Sequence, residues 1–161
     1  MPYYKFFKSV HGAFLIPEMF ASMLSTFFIV FPIDKYQKRN VDLKWETAFL
    51  YAVSFYCFAS STLHFFVFLC SSDTAKHFPK MIFYLHHHLI AASLCLVMGS
   101  WEVYSEVREH VSVLNLAHYT AGMLTLINFV LFAGGFLSLY HEQGGNLFTM
   151  ARALRRGRRR Y

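Results

Sequence analysis

The chain has 161 residues, of which 56% are apolar, 19% aromatic and only 15% charged. A water-soluble domain of this size carries nearer a quarter charged residues, so the composition excludes one and points to a compact integral membrane protein of a single domain. The net charge of +6 gathers near the C-terminus, which suits an anionic membrane face and not nucleic acid.

Residues 1–10 form a short head carrying Lys5 and Lys8. The first apolar run, 11–31, ends at Pro32. Positive residues before an apolar core also describe a signal peptide. Glu18 inside the run, the length of the core and the lack of a small-residue cleavage site favour a retained span. A polar loop of mixed charge, 33–45, leads to the second span, 46–70, with Trp45 at its interface. The third span, 80–101, begins after the loop SSDTAKHFPK, and the acidic loop EVYSEVREHV follows Trp101. The fourth span covers 112–140. About 20 apolar residues cross a hydrocarbon core of roughly 30 Å, so each run is long enough. Four spans with short connections imply an all-α membrane protein, an antiparallel four-helix transmembrane bundle filling 1–145, with 146–161 as a basic cytoplasmic tail.

Orientation follows from Lys and Arg bias. With both termini cytoplasmic, ten of these residues fall inside and five outside, and the C-terminal arginines decide the balance. The localisation expected is a multi-pass protein of the plasma membrane or of vesicles and endomembranes.

The third span carries three consecutive histidines, His86, His87 and His88. Successive helical residues point about 100° apart, so at most one or two of them face a bundle. On the inside-termini topology, Glu18 lies roughly 10 Å into span one, and His64 and the triplet lie at similar depth in spans two and three. A lone carboxylate in hydrocarbon is costly, and a histidine is its natural partner. Glu18, His64, His86, His87 and His88 are therefore expected to form an intramembrane polar layer that sets helix register. The alternative is a small haem- or metal-binding redox protein using His64 and the His86–His88 cluster. A proton or ion conductor lined by the same groups is a third reading, opposed by the small lumen of a four-helix bundle. The sequence has no His-Glu-x-x-His, no His-x-x-His-His box and no Gly-x-Ser-x-Gly. It thus offers no catalytic residues, and no cofactor or metal is assigned.

Small residues recur every four positions at Ala91, Cys95 and Gly99, at Ala117, Ala121 and Thr125, and at Ala48 and Ala52, with Gly134 and Gly135 following on span four. Such stripes let helix backbones approach closely in a membrane. Cys57, Cys70 and Cys95 lie in or at the end of apolar runs. They form no Cys-x-x-Cys and cannot pair in an outer loop, so they read as small apolar residues, with Cys70 also open to palmitoylation. In the tail, Arg152, Arg155, Arg156, Arg158, Arg159 and Arg160 follow Leu147 and Met150 at helical spacing. They are expected to lie on anionic inner-leaflet lipids, or to act as a disordered topogenic tail.

His88 followed by LIAASLCLVMGS, then His118-Tyr119 through Ala121 and Leu137-Ser138-Leu139-Tyr140, resembles the third and fourth spans of the MARVEL family of four-span membrane proteins, which includes the myelin-and-lymphocyte, plasmolipin and chemokine-like-factor groups. The triple histidine, the aromatic content and Glu18 beside Pro17 depart from that pattern, as in a divergent member. The resemblance implies a non-enzymatic scaffold that organises membrane microdomains, vesicle trafficking or the apposition of membranes at cell junctions. Its implied partners are the bilayer itself, cholesterol and other membrane proteins, including a second copy of the chain.

Overall fold

In hydrocarbon a backbone must satisfy its own N–H and C=O groups, so each apolar run closes into a helix. A computed structural model of the chain describes residues 10–37, 45–71, 82–108 and 113–142. Among these residues lie α1 (Val10–Gln37), α2 (Trp45–Cys70), α3 (Ile82–Arg108) and α4 (Val113–Glu142), with no strand. The stretches Gly12–Val30, Trp45–Cys70, Phe83–Arg108 and Leu116–His141 are each long and apolar enough to cross a membrane.

Two boundaries differ from the sequence expectation. Helix α1 does not end at Pro32 but continues to Gln37. Proline's fixed φ is itself helical, and what it removes is one N–H bond, a cost that a long apolar span absorbs. Helix α3 does not end at Trp101 but runs through Glu102 to Arg108, so most of the expected acidic loop is helical. Arg108 in its last turn suits the negative end of the helix dipole.

Contacts fix the topology. Ser25 meets Ser54 and Thr125, Cys57 meets Cys95, His88 meets Glu18, and Glu102 meets His118. Neighbouring helices therefore run antiparallel around a square, α1 beside α2 and α4, and α3 beside α4 and α2. The backbones approach most extensively between α3 and α4 and least between α2 and α3. Chain entry and exit fall at one end of the bundle, where Phe14 touches Gly134.

Each helix turns one narrow seam inward. On α4 the seam runs through His118, Ala121, Thr125, Asn128, Phe132, Gly135 and Leu139, alternating three and four residues apart, with Gly122 buried beside it. On α3 the seam runs through Tyr84, His88, Ala91, Cys95, Met98 and Glu102, with Leu85, His87, Ala92 and Gly99 buried beside it, and on α2 the buried positions include Thr47, Leu50, Ser54, Cys57, Ser61 and Phe68. A 3.5-residue repeat is the spacing at which side chains interlock along nearly parallel axes. Ile29, Leu50, Cys57, Ala91, Cys95, Ala121 and Phe132 join all four helices in one closed core. Leu15, Phe68, Tyr84, Leu85 and Leu139 form a second core toward the entry end. Large apolar residues such as Phe27, Leu63, Phe83 and Val130 point outward.

Candidate functional site

The inward seams carry polar groups at a density unusual for buried positions, and these link into a column along the bundle. Toward the entry end, Glu18 of α1 is 1% exposed and its Oε1 lies 3.7 Å from Nε2 of His88 on α3. Gly135 of α4 makes room for them, because a Cβ there would fall 2.8 Å from His88 Cδ2 and 3.3 Å from Glu18 Oε1. His88 Nδ1 sits 3.0 Å from the carbonyl oxygen of Tyr84. A carbonyl only accepts, so Nδ1 donates, and Nε2 is the nitrogen left to face the carboxyl group. A neutral acid facing imidazole and a carboxylate facing imidazolium both leave the pair without net charge, which is what a buried site in hydrocarbon requires.

The other histidines take different places. His87 is 8% exposed, its Nδ1 lies 2.8 Å from the Tyr56 hydroxyl, and its Nε2 has no hydrogen-bond partner among the described residues. His64 of α2 packs edge-on against His87 and Tyr84 with centroids 5.1 and 5.0 Å away, and stacks on Phe68. Tyr84 and Phe132 complete the ring cluster around His88, with centroids 4.5 and 5.6 Å from it. His86 faces outward. Of the residues expected in one polar layer, Glu18 meets His88, the His88 ring lies edge-on to His87 at 5.6 Å, and His87 meets His64, while His86 faces outward.

Two imidazoles on opposite faces of one iron hold their centroids about 6–7 Å apart, given metal–nitrogen bonds of about 2 Å. His64 and His87, at 5.1 Å and in edge contact, leave no space for a macrocycle between them. Among the described residues, no three His, Cys, Asp or Glu side chains converge closely enough to hold a metal ion.

Further along the column, Ser22 donates to the Glu18 carbonyl at 2.6 Å. The Asn128 amide, turned so that donors face acceptors, reaches that carbonyl at 3.3 Å and the Ser22 N–H at 3.1 Å. One turn on, Ser25 Oγ lies 3.0 Å from Ser54, 2.9 Å from Thr125 and 3.1 Å from the Ala121 carbonyl. This hydroxyl triad joins α1, α2 and α4 near the middle of the spans. At the far end, Glu102 and His118 pair at 3.2 Å, both buried. Beside them a cleft of about 350 Å³ opens between α2 and α3, lined by residues including Glu46, Thr47, Trp101 and Tyr104.

Sequence reading placed Glu102 in a loop and gave His118 no partner. The available signal was periodicity, since Glu102 falls four residues after Met98 on the α3 seam. The Ser25–Ser54–Thr125 triad was also missed, because hydroxyls in apolar runs carry no sequence signature of their own. Among the small residues, Ala91, Cys95, Gly99, Ala121 and Gly135 are buried, while Ala117 and Gly134 are half-buried. Ala48 and Ala52 face outward, so the small-residue stripe of α2 is not spent on packing inside the bundle. Gly99 meets Leu126 and Gly122 of α4: a Cβ on Gly99 would lie 2.9 Å from Leu126 Cγ and 3.1 Å from the Gly122 carbonyl oxygen. Arg152, Arg155, Arg156, Arg158, Arg159 and Arg160 lie outside the described residues.

Comparison with protein-family models, curated proteins and solved structures yields no match.

Proposed function

We propose that the protein is a non-enzymatic, multi-pass membrane scaffold that organises lipid and partner proteins by lateral association, in the manner of membrane-microdomain, vesicle-trafficking or cell-junction proteins. The observation that carries this reading is how polarity is distributed. Buried polar groups from all four helices are directed at one another, and the surface offered outward is rich in large apolar and aromatic side chains. A closed core across the middle of the bundle supports a static body over a conduit. In this proposal both termini are cytoplasmic, the arginine tail rests on anionic inner-leaflet lipid, and the protein resides at the plasma membrane or in endomembranes.

The test is reconstitution of fluorescently labelled protein into giant vesicles that separate into cholesterol-rich and cholesterol-poor phases. A scaffold gathers into clusters or enriches in the cholesterol-rich phase. A uniform distribution of single molecules at every lipid composition would falsify it.

A haem- or metal-binding redox protein using His64 and the His86–His88 cluster is the second reading, which the edge contact of His64 with His87 opposes. An absorbance spectrum and metal analysis of protein purified in mild detergent separates the two. The scaffold reading expects a colourless sample in which His64→Ala lowers the melting temperature and changes no spectrum. A Soret band or stoichiometric metal that His64→Ala removes replaces it with the second.

A further inference from the structure

Cys57 stands at the middle of α2 and Cys95 at the middle of α3, and their Sγ atoms are 3.6 Å apart. Neither residue has any exposed surface. From this geometry we propose that Cys57 and Cys95 are a modification site, a dithiol that closes to an intramembrane disulfide when it meets an organic hydroperoxide dissolved in the bilayer. The proposal is independent of the scaffold reading.

Three observations carry it. The two thiols face each other across helices and not along one chain segment, so a bond between them links α2 to α3. The sulfurs must close from 3.6 Å to about 2.05 Å, a shift of less than two ångströms. That shift falls on the α2–α3 seam, where the backbones of neighbouring helices approach least. Leu50, Val53, Ala91, Ala92 and Met98 share the core with the pair. This apolar shell shuts out charged oxidants and soluble thiols, so the oxidant must be small and apolar.

The step balances. One thiol sulfur attacks the outer peroxide oxygen, the O–O bond breaks, and an alcohol leaves with the thiol proton to give a sulfenic acid. The second thiol then attacks that sulfur, the S–S bond forms, and water leaves with the remaining hydrogen. Two sulfurs are oxidised and one peroxide is reduced. A dithiol reductant reverses the bond once the seam opens.

Cys70 supplies an internal reference. It is exposed and lies 13 residues beyond Cys57 on the same helix, about 20 Å along the axis, out of reach of either core thiol. The experiment treats the full-length protein in mild detergent with cumene hydroperoxide, then unfolds it, alkylates free thiols and maps the peptides. The expected result is loss of two alkylatable thiols and of two hydrogen atoms of mass. One cross-linked species joins the Cys57 and Cys95 peptides, Cys70 stays alkylatable, and a dithiol reductant restores all three thiols. In Cys57→Ser and in Cys95→Ser no intramolecular cross-link forms. Three free thiols after treatment overturn the proposal, as do separate over-oxidation of Cys57 and Cys95 or a mixture of all three pairings. Because the mapping is read on the natural sequence, it does not depend on either variant folding.

Discussion

Toward α4, helix α3 presents Gly99, whose missing side chain lets the two backbones touch. Toward α2, the same helix presents Tyr84 and His87, and rings from both helices fill the space between them. In lipid the hydrocarbon outside is as apolar as any side chain inside, so burial alone does not draw helices together. The α3–α4 seam holds by close van der Waals approach, which removal of Cβ atoms makes possible. The α2–α3 seam holds by edge-to-face ring contacts and by the Tyr56–His87 hydrogen bond. The His64–His87 contact lies where the backbones stand apart, whereas the Glu102–His118 pair sits on the closely approaching α3–α4 seam.

Four substitutions break or sharpen this contrast. Tyr84→Ala has the largest expected effect. It empties a buried position in contact with His64, Phe68 and His88, and should lower unfolding stability by about 3–5 kcal/mol. Denaturant titration of the protein in mixed micelles reads the change. Gly99→Val attacks the opposite seam, since even its Cβ would lie 2.9 Å from Leu126 Cγ. A loss of about 1–3 kcal/mol is expected from overpacking. Should Gly99→Val prove neutral while Tyr84→Ala is severe, the glycine seam is not close-packed and the contrast fails.

Ser25→Ala removes one member of the hydroxyl triad from α1, at the junction with α2 and α4. Interhelical hydrogen bonds in membranes are worth on the order of 1 kcal/mol, so the shift should be of that size. A loss as large as that of Tyr84→Ala would mean that hydroxyls and not rings hold the bundle. His86→Ala should change stability by less than about 0.5 kcal/mol, because the side chain faces outward. An effect equal to that of His87→Ala would show that the triplet is turned differently about the α3 axis.

The candidate site was only half legible in the sequence. Glu18 announces itself as a charge inside an apolar run, and an acid at that depth calls for a partner. Its pairing with His88, and not with His64, depends on how α1, α3 and α4 are rotated, which no local pattern records. Glu102 was hidden for the opposite reason. Surrounded by Tyr104, Ser105, Glu106 and Arg108, it reads as part of a polar loop, and only the extension of α3 carries it beneath His118. Cys57 and Cys95 were legible as small buried residues. That they face each other follows from the antiparallel register of α2 and α3, a tertiary quantity.

By itself the sequence determined the number of helices, their approximate spans and the membrane as their solvent. Those properties follow from length and hydropathy and require no knowledge of neighbours. Tertiary structure decided which side of each helix is interior, and with it the fate of His86, His87 and His88, the column from Glu18 to His118, and the meeting of two thiols. The physical reason is that a transmembrane helix with apolar residues all round has no hydrophobic face to orient it. Its rotation is set by where small residues admit a neighbouring backbone and where polar groups find partners.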